Sequence, residues 1–559
     1  MAMKMSYGSI MNRWSSSRSV HARGRRGAGM GPAPRMWALL VVFSLLLATP
    51  VAFATETVEK RLDGANRNIL NWQMADAQKT LDAIEAEGST SAYWLFTKAH
   101  HAFFSGDYKR AMDLTDQALA NEEDGERKAD YASFRKLVEK SHETTKDYRR
   151  HTSPDGFFEL RVEPGKDEVL VPYAFETLDG AYKAFRDEFG YAPPTPIIVE
   201  MYPSAATLAH VTFLTEEQIK TSGTIALCKY NRLMFTSPKA LAKGYGWRDT
   251  LSHELAHLVI TQKSNNTVPI WMHEGLAKYN ERLWRHDGHE RGQLPSSENY
   301  LAKGIAKNEL ITFEQMHPSM ALLPSQEATA LAFAEVYTVM EYVHREKGAT
   351  GFSELLTLMR EHGDAEIAME KLMGVDFRRF EKNWKAYLKT RPSRAFDEDF
   401  VYVEKLEFVG DKKGSDILEI GKKEAEDFVH LGELLQARKR YGAALIEYEK
   451  ARELIGDRNP LLQKRLGKTL IVMKRYNEAI DVLVRSLEYY PVLHETHSLL
   501  GQALHALGRE EEAEVHLLEA VSINPFDPTP HRLLSEIYEA DGRKDLAERS
   551  RGHAVTCGG

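Results

Sequence analysis

A repeat period constrains this chain more than any other feature. Gly432, Gly467, Gly501 and Ser535 recur at spacings of 35, 34 and 34 residues, and Tyr441, Tyr476, Glu510 and Lys544 keep the same register. Ala444, Ala479, Ala513 and Ala547 follow it, as do Ala451, Ser486, Ala520 and Ala554, and Pro491 and Pro525 close two of the units. A sustained period of this length marks a repeat architecture, and small residues at fixed places permit close packing of a helix pair. One pair cannot bury its apolar face alone, so stacked pairs must share a core. Residues 426–555 are therefore expected to be an all-α stack.

The second organising stretch is His253-Glu254-Leu255-Ala256-His257. Leu251, Leu255, Leu258 and Val259 supply the apolar positions of a helix from about Trp247 to Thr261. Histidines four apart on a helix project from one face, so both imidazoles can reach a single metal ion while Glu254 faces a water beside it. The same residues also suit a plain amphipathic helix with two half-buried histidines, and it is the helical setting that favours the metal reading. Catalytic zinc needs a third protein ligand and an open position. Glu274 fits: it follows the turn-like Lys263-Ser264-Asn265-Asn266-Thr267 and Pro269, which is suited to the first turn of a new helix. Gly275 and Ala277 would let that helix pack closely on the motif helix.

These residues resemble a known group. The segment from Thr250 to Glu281 resembles the active-site helices of gluzincin metallopeptidases, and most closely the peptidase MA-like domains of exported bacterial proteins. Their second helix carries a Trp-x-x-Glu-Gly-x-Ala pattern, matched by Trp271, Glu274, Gly275 and Ala277. The resemblance extends more loosely over residues 152–391. It implies one Zn2+ bound by His253, His257 and Glu274, with Glu254 as general base. It also implies a closing helix, matched by Phe333 to Val343, on which Tyr337 is the candidate donor to the oxyanion, with a core tyrosine as the alternative. His273 is expected to be structural, since the neighbour of a ligand on a helix points elsewhere. Lys278 stands where that group often has an acidic partner for the ligating histidines, leaving Asp249 and Glu281 as candidate substitutes. The 34-residue units resemble tetratricopeptide repeats, which implies a concave face for a peptide or protein, or else a spacer.

The remainder fills in around these anchors. A chain of 559 residues is too long for one core. A net charge of -8 gives no reason to expect nucleic acid. Residues 56–145 are charged and alanine-rich, and Trp94 to Ala120 keeps a tetratricopeptide-like register; a generic helical hairpin fits equally. From Thr152 strand patterns begin: Phe157–Val162, Pro196–Met201, and a hairpin over Gly223–Ser237 with its turn near Tyr230-Asn231. Helices are expected at Val169–Phe189 and Ser204–Phe213, then again from Asn299 to Leu388. By the resemblance, the hairpin around Ile225 to Phe235 is the candidate edge for an extended substrate. The fold class expected is thus an α+β metallopeptidase domain, a small sheet plus the motif helices, flanked by all-α helical repeats, with a charged linker at 392–425.

At the N-terminus, Arg23, Arg25, Arg26 and Arg35 precede an apolar run from Trp37 to Ala48 and the small-x-small site Ala52-Phe53-Ala54. Residues 1–54 read as a secretory signal, with an uncleaved anchor as the alternative. Two cysteines, Cys228 and Cys557, exclude a disulfide framework. The expected function is that of an exported zinc peptidase of the bacterial periplasm, with a protein partner or substrate on its repeats. The alternative is a repeat-based scaffold carrying a quiescent peptidase-like domain.

Overall fold

The computed structural model describes residues 57–212, 214–285, 291–392, 395, 406–410 and 416–559. The signal expected at 1–54, Phe213 and much of the expected linker lie outside the described residues. Among the described residues no helix is long and apolar enough to cross a membrane.

Five helices come first: α1 (Val58–Leu70), α2 (Met74–Ala86), α3 (Ala92–Phe104), α4 (Tyr108–Asn121) and α5 (Gly125–Thr145). Thr57, Ser91, Asp107 and Asp124 cap four of them by accepting a backbone N–H, the role these side chains serve best. Next come β1 (Arg149–Thr152), β2 (Phe158–Val162), α6 (Val171–Phe189), β3 (Ile197–Tyr202), two short helices α7 (Ala205–His210) and α8 (Glu216–Ser222), then β4 (Ala226–Lys229) and β5 (Arg232–Thr236). The strands form one sheet in the order β1-β2-β3-β5-β4. The inner three are parallel, and the flanking strands β1 and β4 are antiparallel to their neighbours. The strand β1 begins before the composition change at Thr152 that marks the domain in the sequence. The predicted hairpin forms, turning through Tyr230 and Asn231, both at positive φ, and it puts β4 at the sheet edge.

The two faces of the sheet bury different chemistry. Leu160, Val162, Val199, Met201, Leu233 and Phe235 alternate onto one face and are fully buried. The other face carries Arg161, Glu200 and Arg232, which meet the α3–α4 turn. Tyr108 donates to Glu200 at 2.7 and 2.8 Å, Arg161 donates to the Gly106 carbonyl at 2.9 Å, and Arg232 donates to Tyr108 and to the Phe103 carbonyl. Burial opposes ionisation of Glu200, and the two guanidiniums overcome it, holding its pKa below the usual carboxylate value. The N-terminal helices are thereby fastened to the sheet by a buried, fully paired charge cluster.

After β5 run α9 (Trp247–Ser264), α10 (Ile270–Asn280), α11 (Pro295–Lys307), α12 (Gln326–Lys347), α13 (Gly351–His362), α14 (Ala365–Met373) and α15 (Phe377–Thr390). Of these, α9 lies against β4, β5 and α6, and α10 packs between α9 and α12. The repeats then form four helix pairs: α16 (Lys423–Ala437) with α17 (Tyr441–Ile455), α18 (Pro460–Val472) with α19 (Tyr476–Tyr489), α20 (His494–Ala506) with α21 (Glu510–Ile523), and α22 (Pro528–Ala540) with α23 (Lys544–Cys557). The small residues of the period have the steric cause inferred for them. A Cβ on Gly467 would fall 2.6 Å from Leu483, and one on Gly501 would fall 2.6 Å from Leu517, each in the second helix of the pair.

The stack is docked on the peptidase-like domain. Tyr245 donates its backbone N–H to the Ile523 carbonyl at 3.0 Å, and the Trp247 indole donates to the Val521 carbonyl at 3.4 Å. Farther along, Arg549 pairs with Glu176 at 2.9 Å. The segment Glu407–Val409 bonds to Ala240 and Ala242 through two backbone hydrogen bonds, so part of the expected linker is fixed to the domain.

Candidate metal centre

His253 and His257 lie on α9 and Glu274 on α10, held by the contact between those two helices. Gly275 sits where α10 crosses α12, and its missing side chain lets the Val336 carbonyl approach. The structure brings the three residues together: one ligand atom from each lies within 4.8 Å of the other two. The Nε2 atoms of His253 and His257 are 3.4 and 3.5 Å from Glu274 Oε2. Their rings stand perpendicular, with centroids 4.5 Å apart. Glu254 is 7% exposed and Glu274 4% exposed. Two nitrogens and a carboxylate oxygen converging from two helices are the donor set of a closed-shell divalent ion with room for water. The residues therefore fit a metal ion.

The second nitrogen of each histidine is also held. His253 Nδ1 lies 3.1 Å from Glu281 Oε2, and Lys278 donates to the other oxygen of Glu281 at 2.6 Å. Glu281 thus orients His253, as one of the two substitutes inferred from the sequence. The other, Asp249, is engaged elsewhere. It accepts from the Trp284 indole at 2.9 Å and from Arg285 at 2.8 and 2.9 Å, and Arg285 reaches on to Glu519 in the stack at 2.8 Å.

His257 Nδ1 lies 2.6 Å from His273 Nδ1, and His273 Nε2 lies 3.1 Å from Thr261 Oγ1. His273 therefore meets His257, which corrects the expectation that it points elsewhere. Two consecutive residues of α10, His273 and Glu274, thus both reach His257 on α9. The sequence carried no signal for this beyond the histidine itself.

Tyr337 is placed apart. It is buried on α12 with its ring 5.1 Å from that of Tyr279, and the charged groups around it are Glu341, Arg391 and Arg291. None of the hydrogen bonds or ring contacts found among the described residues joins Tyr337 to His253, Glu254, His257 or Glu274. Its position is that of the core tyrosine considered as the alternative.

The electrostatics follow from burial and pairing. Desolvation raises the pKa of Glu254, against the pull of the two histidines. Glu274 is as deeply buried, yet contact with His257 and His253 holds its pKa well below the usual value. Cys228, on β4, has its thiol pushed well up by burial, with Glu254 adding to the effect. It is a free thiol, as is Cys557.

Comparison with known proteins places two parts of the chain in families. Residues 178–390 match the family model of the Peptidase MA superfamily, and residues 494–527 match the tetratricopeptide repeat model. The chain matches none of the curated proteins. Among solved structures it is similar to MamA 41-end from Desulfovibrio magneticus RS-1, at 20% identity over 25% of this chain and 81% of that chain, with a TM-score of 0.22. It is also similar to a structure titled MamA MSR-1 C2, at 24% identity over 25% of this chain and 82% of that one, with a TM-score of 0.22. A third, titled APC/C hetero-tetramer Cut9-Hcn1, is 10% identical over 86% of this chain and 81% of that chain, with a TM-score of 0.24. At such scores the likeness carries no argument about this chain's function.

Proposed function

Starting from a chain that joins a peptidase MA superfamily domain to tetratricopeptide repeats, we propose an exported zinc-dependent peptidase whose repeats hold a protein partner or substrate. The observation that carries this reading is the convergence of His253, His257 and Glu274 within 4.8 Å, with Glu254 on the same helix as both histidines. Bound there, zinc supplies a Lewis acid that polarises a carbonyl and acidifies a water. The chain's residues do the rest. Glu254 accepts the proton of the attacking water and delivers it to the leaving amine. The edge strand β4 would offer its backbone N–H and C=O groups to an extended peptide, which would add as a further strand beside α9. Export rests on the arginine-rich start followed by an apolar run and a small-x-small site, which suits a periplasmic destination.

Metal analysis of the wild type beside Glu254→Gln, His253→Ala and Glu274→Ala tests the reading, together with hydrolysis of a denatured-protein substrate. The expected result is one zinc per chain in wild type and Glu254→Gln, loss of metal in the other two, and hydrolysis in wild type alone. Wild-type behaviour of Glu254→Gln in every assay would refute catalysis and favour the scaffold reading.

A further inference from the structure

Building on that zinc reading, we propose that His273 is the positioning residue for the ligand His257, holding its ring through a histidine-to-histidine hydrogen bond where a carboxylate holds His253. A histidine that offers Nε2 to a metal must carry its proton on Nδ1. In His257 that nitrogen lies 2.6 Å from His273 Nδ1, so the His257 N–H donates and His273 accepts. His273 then carries its own proton on Nε2, 3.1 Å from Thr261 Oγ1, and donates to that hydroxyl. Thr261 stands one turn beyond His257 on α9. The chain of hydrogen bonds therefore leaves α9 at His257, crosses to α10 at His273 and returns to α9 at Thr261. It fixes the tautomer of His257, the plane of its ring and the crossing of the two helices that brings Glu274 to the same point.

The two halves of the site differ in consequence. His253 faces the anionic Glu281, itself tied to Lys278, whereas His257 faces a neutral ring. His257 and His273 are each 9% exposed, so water competes little for their hydrogen bond. Loss of a hydrogen-bonding partner of a ligating histidine typically weakens metal binding about 10- to 100-fold, and His273→Phe, which keeps a flat ring but has no acceptor, is expected to fall in that range. His273→Asn is the discriminating variant, because its Oδ1 takes the place of the imidazole Nδ1 and can accept from His257.

The test is zinc affinity of the full chain by competition with a chromophoric chelator, with the thermal midpoint of the metal-free protein measured alongside and the visible spectrum of the cobalt-substituted protein recorded. The expected outcome is a weakened site and altered cobalt spectrum for His273→Phe, near wild-type affinity for His273→Asn, and metal-free midpoints that do not track affinity. Wild-type affinity in His273→Phe would overturn the proposal. So would equal weakening of both variants in step with their midpoints, which would make His273 a packing residue. Failure of the wild type to bind zinc would instead refute the function proposed above, so the two failures are distinguishable.

Discussion

Replacing Gly275 with alanine perturbs the metal centre without touching a ligand. A Cβ at this position would lie 2.7 Å from the Val336 carbonyl oxygen and 3.1 Å from Met340 Cγ, both on α12. The first neighbour is backbone and cannot swing aside. Restoring ordinary contact, which begins at 3.4 Å, requires α10 and α12 to separate by about 0.7 Å, and overpacking of this kind costs about 1–3 kcal/mol. Alanine in place of glycine inside a helix returns about 1 kcal/mol, so the net destabilisation is about 0–2 kcal/mol. Gly552 on α23 provides the control, since a Cβ there meets nothing within 4 Å. Gly552→Ala keeps the helical gain without the clash, and the gap between the two variants should be about 1–3 kcal/mol. The displacement also carries Glu274, the adjacent residue. Metal–ligand distances tolerate only about 0.2 Å, so zinc affinity should fall about tenfold or more in Gly275→Ala and remain unchanged in Gly552→Ala. Urea unfolding of the metal-free chains and chelator competition read the two effects. Equal stability of the two variants, with zinc bound as tightly as in wild type, would refute the close approach on which the argument rests.

Three further outcomes follow from the contacts described. Arg285→Met removes the cation shared by Asp249 and Glu519; breaking a buried pair costs about 3–5 kcal/mol, and the partial exposure of these carboxylates, 21% and 24% at the side chain, brings the expected loss to about 2 kcal/mol. Proteolysis between the domain and the stack should accelerate in that variant, and unchanged cleavage would show the bridge to be dispensable for docking. Burial lowers the pKa of His100 to about 3, below the unfolded value near 6.5, so the unfolded chain binds the proton first. Its contribution to stability is complete above pH 6.5 and is lost as pH falls towards 3, at up to about 1.4 kcal/mol per pH unit; His100→Gln should flatten the acid limb of a stability–pH curve by that slope, and an identical limb would contradict the assignment. Glu281→Gln keeps the hydrogen-bonding shape beside His253 while removing the charge, and zinc affinity should drop about 10-fold or more with His257 still held; equal affinity would show that the charge on Glu281 is not used.

The extent to which the sequence foretold this molecule depends on the distance over which each feature is encoded. His253 and His257 were legible because the four-residue step of one helix decides that they share a face, and Glu274 because a turn and a proline announced the next helix. The strands were legible for the same local reason: Phe157–Val162 starts one residue before the observed β2, and Pro196–Met201 is the observed β3 shifted by one residue. The repeats declared themselves through glycine and alanine positions whose neighbours are in the adjoining helix. What was not legible is set by pairs far apart in the chain. Tyr108 with Glu200, and Arg285 with Glu519, join segments whose separation of 92 and 234 residues leaves no periodic trace. His273 is the instructive case, since it is adjacent to Glu274 and yet its contact with His257 was not foreseen. Its place on one helix says that it points away from Glu274, yet both side chains reach His257 on the motif helix. A helix face is a local property, but what that face meets belongs to the packing of two helices, and the hydrogen bonds that hold a metal ligand are made at that second level. The convergence of His253, His257 and Glu274 could therefore be read from one sequence, while His273, which meets His257, had to be found in the fold.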